Sequence, residues 1–297
     1  MKKFLLSLLT IFSIFSFSSE KKVLRVGMEV GYAPFNWYQK DDANGAVKIP
    51  TGYANGYDVQ IAKLIAKSLD RELEIVPSDW DSLLGPALNS DKIDLVIAGM
   101  SPTNERKKSI DFTNSYYEAD IVVVVKKDGK YANSKTLNDF TDAKITGQLN
   151  TLHYGLIDQL KDAKKQVAME NFPAMVVALN SGKIDGYIAE RPSALSASFS
   201  DPSISFVDFK DNGFSYDKDE VNVAIGVKKG NTILVNEVNK ALSDISKSTR
   251  ENLMQDAIKN QPLQTDAENE EELGFLALVK NILQNYGIKY LIGTLTT

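Results

Sequence analysis

One stretch of the sequence, residues 94–117, combines a predicted strand, a turn of small residues and an arginine. The apolar residues 95–98 predict a buried strand, which opens into Gly99 and Ser101. Such a turn leaves backbone N–H groups free to meet an anion, and Arg106 adds a planar fork that binds a carboxylate through two parallel hydrogen bonds. Because no obvious nucleophile lies nearby, the stretch indicates a site that binds a carboxylate without reacting with it.

Glu190 is a candidate for the opposite charge. It follows a predicted strand, and open α/β sheets bind ligands at the carboxyl ends of their strands, so a carboxylate there suits an ammonium group. Plainer interpretations stay open for both residues. For Glu190, the plainer interpretation is a solvated loop residue paired with Arg191. For Arg106, it is a surface residue paired with Glu105 or Asp111.

A short loop after the first predicted strand holds Glu29 together with Tyr32, Phe35 and Trp37. Closely spaced aromatic residues often anchor a core, which is one interpretation. The other is an aromatic wall over the side chain of a ligand, with Glu29 as a polar group that attracts cations. In that case Glu29 favours basic or neutral polar ligands over acidic ones.

The segment from Gln148 to Thr151 follows another predicted strand and precedes a helix. Its backbone N–H groups and the Thr151 hydroxyl are placed to close over a ligand from a second side. The alternative is that Asn150 or Thr151 only caps the helix.

The elements that must position these residues alternate between strands and helices. Strands are predicted at residues 23–27, 72–76 and 95–98. One helix is predicted to begin at an Asp58 N-cap, and another covers residues 82–89. Residues 40–53 are rich in Gly, Asp and Asn and predict a surface excursion.

The same order of elements restarts at residue 121. Strands are predicted at residues 121–125, 144–147, 166–169, 184–188 and 221–227. Helices are predicted near Leu137 and over residues 153–160, 173–180 and 233–245. This alternation implies mostly parallel sheets with helices on their faces.

We therefore predict an α/β clamshell of two lobes, with the second lobe inserted into the first. The first lobe comprises residues 22–122 and 222–262, and the second comprises residues 126–220. Extended segments near residues 122–126 and 221–225 cross between the lobes and form a hinge.

The composition excludes several classes of function. A formal net charge of -5 at pH 7 gives no basic face for nucleic acid. The chain has no cysteine and a single histidine, His153, which excludes disulfides and a Cys/His metal site. We expect no cofactor.

The first 19 residues are typical of an export signal. Lys2 and Lys3 precede an apolar run and then small residues, and the run is short for a membrane span. The alternative is a buried N-terminal helix. We expect an exported protein, in the periplasm or at the outer face of the cytoplasmic membrane, without a lipid anchor because no cysteine can carry one.

Four stretches together resemble the polar amino-acid solute-binding proteins of ABC importers. They are residues 24–35, 56–59, 94–117 and 182–190. The most specific part is the block Gly-Met-Ser-x-Thr-x-Glu-Arg that ends at Arg106, and the resemblance covers about residues 22–262.

The resemblance implies a clamp for a zwitterion. Arg106 would bind the α-carboxylate of the ligand, helped by the hydroxyl and N–H groups of Ser101. The Gly99 backbone would accept from the α-ammonium group, and Glu190 would neutralise it.

The resemblance also implies contacts for the rest of the ligand. Tyr32 would stack on the ligand side chain, and Glu29 would line its pocket. Gln148 and Thr151 would supply contacts from the second lobe. Trp80 corresponds to a second pocket aromatic of the family.

The sequence departs from the family pattern at three places. Asn150 stands where the family often has glycine, and Glu190 stands where it usually has aspartate. The stretch from Trp80 to Leu88 is one residue longer than usual.

The pattern of a binding protein ends near residue 262. Residues 263–297 read as an acidic linker followed by an amphipathic helix, whose apolar residues fall on one helical face: Phe275, Val279, Ile282, Leu283, Tyr286 and Tyr290. One interpretation is a terminal helix packed on the first lobe. The other is a resemblance to the first segment of an amino-acid ABC permease, which implies a binding protein fused to its permease.

We predict a monomeric binding domain, and not an enzyme, that captures a free L-amino acid with a basic or neutral polar side chain. Its partner is an ABC permease, separate or fused in cis. A ligand that bridges both lobes favours the closed form. Two rivals remain: a periplasmic dehydratase on the same fold, with Glu29 or Glu190 as its general acid, and a ligand-sensing domain.

Overall fold

The computed structural model describes residues 21–209 and 213–262. The predicted signal at residues 1–19 and the predicted linker and helix at residues 263–297 lie outside the described residues. The strands are β1 (Val23–Met28), β2 (Gly31–Tyr32), β3 (Asn36–Gln39), β4 (Val47–Ile49), β5 (Gly52–Asn55), β6 (Glu72–Pro77), β7 (Leu95–Val96), β8 (Ile110–Tyr117), β9 (Ile121–Lys126), β10 (Lys144–Thr146), β11 (Lys164–Lys165), β12 (Gly186–Glu190), β13 (Ile204–Val207) and β14 (Val223–Lys228).

The helices lie between these strands. They are α1 (Tyr57–Ser68), α2 (Trp80–Leu83), α3 (Pro86–Asn89), α4 (Arg106–Ser109), α5 (Leu152–Leu156), α6 (Phe172–Asn180), α7 (Arg191–Ser200), α8 (Lys218–Val221), α9 (Thr232–Ser243) and α10 (Lys247–Asn260). Short 3-10 turns occur at Ala43–Gly45, Leu137–Phe140 and Ile157–Gln159. No helix in the two described ranges has the length and apolar character needed to cross a membrane.

Two five-stranded sheets form the centres of two lobes. The first has the order β6-β1-β7-β14-β8, and the second has the order β11-β10-β12-β9-β13. In the first sheet only β14 runs against its neighbours, and in the second only β9 does, so four of the five strands in each sheet share one direction. The predicted two-lobe α/β fold is therefore confirmed, with mixed sheets flanked by helices.

Burial on both faces explains why β9 is a run of valines. Its residues Val122–Val125 are almost completely buried and the strand contacts α6 and α7, and β-branched side chains suit a strand that is covered on both sides. Helix α1 shows the complementary pattern, because Val59, Ile61, Ala62 and Ile65 pack inward at helical spacing.

The strands that precede the predicted site residues all end at the interface between the lobes. Glu29 follows β1 and Gly99 lies just beyond β7 in the first lobe. In the second lobe Gln148 follows β10, and Glu190 ends β12. Because these strands run in one direction within each sheet, their carboxyl ends gather side chains at one edge.

The chain passes from the first sheet to the second at residues 118–120 and returns shortly before β14. The two crossings touch, since the Ala119 N–H group donates to the Asn222 side chain at 3.3 Å. Contact of this kind suits a hinge, although the lobe boundaries 22–122, 222–262 and 126–220 stay predictions.

Several local predictions were wrong. Helix α1 begins at Gly56 as N-cap, and Asp58 is a buried residue of its first turn. Residues 40–53 do not form a simple excursion, because β4 and β5 pair with β3 in a small antiparallel sheet. The predicted helix over residues 82–89 is broken into α2 and α3 at Gly85, whose φ of 151° a helix does not accommodate.

Other elements were shifted or missed. The strand predicted at residues 166–169 lies earlier, at Lys164–Lys165, and Met169 makes only an isolated bridge to Gln148. Strand β8 and helices α7 and α10 were not predicted. Helix α10 is polar along most of its length, so its sequence lacks a clear apolar face.

Candidate functional site

The turn after β7 requires glycine. Gly99 has a φ of 60°, and a side-chain carbon added there would lie 2.7 Å from Cε1 of Tyr32. The Gly99 N–H group donates to the Tyr116 hydroxyl at 3.2 Å. The Ser101 hydroxyl donates to the Val221 carbonyl at 3.1 Å, so the turn is tied to the segment that returns from the second lobe.

Asp58 supports this turn through hydrogen bonds. Its carboxylate accepts from the Tyr116 hydroxyl at 2.6 Å and from the Asn36 side chain at 2.9 Å. Burial raises the pKa of Asp58 to about 6, although both hydrogen bonds oppose the rise. A chain of hydrogen bonds therefore runs from Asp58 through Tyr116 to the N–H group of Gly99.

Arg106 is a buried cation with neutral partners. Its guanidinium donates to the Ser101 carbonyl at 2.8 Å and to the Asn150 carbonyl at 3.0 Å, and it lies 4.9 Å from the centre of the Trp80 ring. Arg106 is 8% exposed, and burial lowers its pKa to about 10, while the charge of Glu190 opposes this.

The surface interpretation of Arg106 was wrong. Glu105 pairs with Lys108, and Asp111 pairs with Lys229 at 2.7 Å. Among the described residues, no carboxylate lies within ion-pair distance of Arg106.

Glu190 lies in the same cavity and is 1% exposed. The Tyr32 hydroxyl donates to its Oε2 atom, and Nε2 of His153 lies 3.1 Å from its Oε1 atom. Burial works against ionisation of Glu190, but the charge of His153 and the Tyr32 hydroxyl outweigh it and lower the pKa of Glu190. The solvated-loop interpretation was wrong, because Arg191 pairs with Asp208 instead.

The segment after β10 reaches across to the first lobe. The Gln148 side chain donates to Glu29 at 3.1 Å and to the Glu170 carbonyl at 3.0 Å. Asn150 donates to Asp81 at 2.8 Å. Its φ of 57° lies in the left-handed region, which asparagine tolerates better than most residues and which explains why it can replace glycine.

Thr151 is the N-cap of α5, but its side chain makes no capping hydrogen bond. Its hydroxyl donates to the Gln148 carbonyl at 2.7 Å instead. The interpretation of Thr151 as the capping residue is therefore right in position, although its side chain bonds to Gln148 and not to the helix.

Glu29 stands between this cavity and a wider cleft of about 630 Å³. Burial raises the pKa of Glu29 to about 7; the hydrogen bond from Gln148 opposes the rise and the charge of Asp79 adds to it. Four carboxylates and no basic residue line the wider cleft among the described residues: Glu29, Asp79, Asp81 and Glu170. The cleft is thus suited to a positive or neutral polar group.

Tyr32 is packed between aromatic rings of both lobes. Its ring centre lies 5.1 Å from that of Phe35 and 4.3 Å from that of Phe172, both in stacked geometry. Phe172 comes from the second lobe, so stacking of Tyr32 on a ligand requires Phe172 to move away with that lobe.

The structure brings eight of the nine predicted residues around one cavity of about 10 Å³. They are Tyr32, Trp80, Gly99, Ser101, Arg106, Gln148, Thr151 and Glu190, and Glu29 is held beside them by Gln148. The sequence reasoning missed Leu152, His153 and Phe172. A usable signal existed for His153, because the only histidine of the chain stands two residues after Thr151. The roles of all these residues toward a ligand stay predictions.

Comparison with known proteins identifies the family of this chain. The chain matches the bacterial extracellular solute-binding proteins, family 3, over residues 24–259. It is 32% identical over 202 residues to a probable histidine-binding protein of Campylobacter jejuni, covering 66% of this chain and 73% of that protein. It is 30% identical over 228 residues to the L-cystine-binding protein of Escherichia coli, covering 77% of this chain and 79% of that protein.

The fold also resembles a solved structure of the same kind. That structure is an amino acid ABC transporter substrate-binding protein from Streptococcus pneumoniae bound to L-arginine, with a TM-score of 0.67 and 28% identity over 80% of this chain and 94% of that chain. The prediction of a solute-binding protein and not an enzyme is thus confirmed. The chain belongs to family 3 of the bacterial extracellular solute-binding proteins.

Proposed function

We propose that this protein captures a free L-amino acid with a basic or neutral polar side chain and delivers it to an ABC permease. The observation that carries the proposal is that Arg106 and Glu190 line one buried cavity without forming an ion pair with each other. A zwitterion supplies a carboxylate for Arg106, which has no carboxylate partner among the described residues, and an ammonium group for Glu190.

The wider acidic cleft supports the choice of side chain. Glu29, Asp79 and Asp81 face the same space, and an acidic ligand side chain would meet carboxylates there and no basic residue among the described ones. The relatives named for histidine and cystine, and the structure bound to arginine, have ligands with polar or basic side chains.

Direct contacts between the lobes support a clamshell mechanism. Arg106 reaches Asn150, Gln148 reaches Glu29, and the cavity between them has room for about one water molecule. A free amino acid is larger, so its entry requires the lobes to separate at the crossings near residues 118–120. We propose that the lobes then close over the ligand and present it to a permease, separate or fused in cis, at the periplasmic or outer face of the membrane.

A thermal-shift screen against the twenty amino acids tests this function. A ligand present at about 100 times its Kd stabilises the folded state by about 2.7 kcal/mol. For a domain of this size that free energy raises Tm by about 5–10 °C. We expect such shifts for some basic or neutral polar amino acids and none for aspartate or glutamate. Absence of a shift with all twenty contradicts the proposal.

A further inference from the structure

His153 is a buried histidine whose ring contacts the carboxylate of the binding site. It lies in the first turn of α5, and its Nε2 atom is 3.1 Å from Oε1 of Glu190. Neither ring nitrogen makes a hydrogen bond of good geometry with another described group. Among the described residues, Glu190 is the carboxylate within ion-pair distance of the imidazole.

The pair belongs to one lobe. His153 is carried by α5 and Glu190 by β12, and α5 packs directly on β12 in the second lobe. Tyr32, which donates to the other oxygen of Glu190, comes from the first lobe. Separation of the lobes therefore removes Tyr32 from Glu190 but leaves His153 beside it.

The groups around His153 leave Glu190 as its electrostatic partner. Burial raises the pKa values of Tyr32 and Tyr187, so both phenols stay neutral. Phe172 of α6 presents a ring edge, with centres 6.4 Å apart. Four other titratable or charged groups among the described residues lie on the elements packed nearby. Tyr154 is on α5 beside His153, and Asp158 is in the 3-10 turn that follows α5 and pairs with Lys165. Arg106 is on α4, and Glu29 accepts a hydrogen bond from Gln148.

We propose that His153 is a determinant of ligand capture: its imidazolium holds the cation position on Glu190, and the α-ammonium group of the ligand replaces it with release of one proton. This rests on the proposed function. The site provides one carboxylate at that position, and an ammonium group and an imidazolium placed against it repel each other. A neutral imidazole does not repel the ammonium group, so the ligand binds preferentially to the protein in which His153 is neutral.

The affinity for the ligand is expected to depend on pH. A lower pH supplies the proton that the imidazolium requires, so it favours the form that competes with the ligand. Kd then rises as pH falls, by up to about tenfold per pH unit when one proton is released. The charge of His153 and the Tyr32 hydroxyl lower the pKa of Glu190 against the effect of burial, so the carboxylate is ionised while the imidazolium is its partner.

A basic ligand adds a second contribution with the same sign. The pKa of Glu29 is raised to about 7, and a cationic side chain beside it favours the ionised carboxylate and expels its proton. L-Glutamine has no charge on its side chain and does not produce this effect. The comparison of L-glutamine with L-arginine therefore separates Glu29 from His153.

Calorimetric titrations with L-glutamine and L-arginine test the proposal. The Kd is measured from pH 5.5 to 8, and the number of protons released is obtained from buffers with different ionisation enthalpies. The wild type is expected to release up to one proton with L-glutamine and more with L-arginine. His153→Gln is expected to lose the release seen with L-glutamine, whereas Glu29→Gln is expected to lose only the excess seen with L-arginine.

The outcomes distinguish this proposal from the proposed function. If the wild type and His153→Gln show the same slope of Kd with pH and the same proton release, the proposal for His153 is wrong and amino-acid capture stands. If neither L-glutamine nor L-arginine binds the wild type at any pH, capture of such ligands is wrong and the role of His153 falls with it. Thermal unfolding of His153→Gln checks that the variant is folded.

Discussion

Replacement of Arg106 by alanine removes the cation of the proposed carboxylate clamp. The residue is 8% exposed and shares a cavity with Glu190, so a bound ligand carboxylate would be buried without its cation in the variant. Truncation of one member of a buried, hydrogen-bonded charge pair costs about 2–5 kcal/mol. At about 1.4 kcal/mol for each factor of ten, Kd rises about 30-fold to 4,000-fold.

Isothermal titration with the amino acid that gives the largest thermal shift measures this change. Lys108→Ala is the matched control, because it removes the same charge from the same short helix and its side chain is 70% exposed. Arg106→Lys is expected to fall between the wild type and Arg106→Ala, since lysine keeps the charge but lacks the planar fork. Thermal unfolding reports any loss of stability from the broken bond to Asn150.

If Arg106 binds the α-carboxylate, its replacement affects all ligands in the same direction. Every amino acid that binds the wild type is expected to lose affinity for Arg106→Ala, because all of them share the α-carboxylate. If the variant changes which amino acid binds and keeps the wild-type affinity, Arg106 contacts the side chain and the reasoning is refuted.

Two further predictions concern the carboxylates. Glu190→Gln keeps the shape but removes the charge, so titration is expected to show a Kd at least about 30-fold higher, and an unchanged Kd would place the ammonium elsewhere. Asp58 has a folded-state pKa raised by burial to about 6 from 3.8, so the stabilisation that its protonated form contributes is lost as pH rises through about 4 to 6. Asp58→Asn lacks that loss, and its stability relative to the wild type should grow by about 1.4 kcal/mol per pH unit in this window. Parallel curves of Tm against pH for the two proteins would rule this out.

The fold was predictable because its strands have plain signatures. The valine run of β9 and the apolar strands β1 and β7 stand at their predicted places. The elements that were missed depend on tertiary contacts. Helix α10 has few apolar residues but rests against α1 and α7, and β4 and β5 need each other and β3 to form their small sheet.

The site was predictable to the extent that it follows strand ends. Gly99 and Gln148 lie within three residues of the ends of β7 and β10, Glu190 ends β12, and the sheets bring those ends to the same interface. Contacts between residues far apart in sequence were not predictable in this way. The proximity of His153 to Glu190 and the stacking of Phe172 on Tyr32 depend on how α5 and α6 pack.

The central claim is that one buried site recognises both charges of a free amino acid. The most direct measurement compares the Kd of the best amino acid in the screen with the Kd values of its α-amide and its Nα-acetyl derivative. The amide lacks the carboxylate for Arg106, and the acetyl derivative lacks the ammonium group for Glu190. We predict that each derivative binds at least about 30-fold more weakly than the free amino acid. Binding of either derivative with the affinity of the free amino acid would contradict the account.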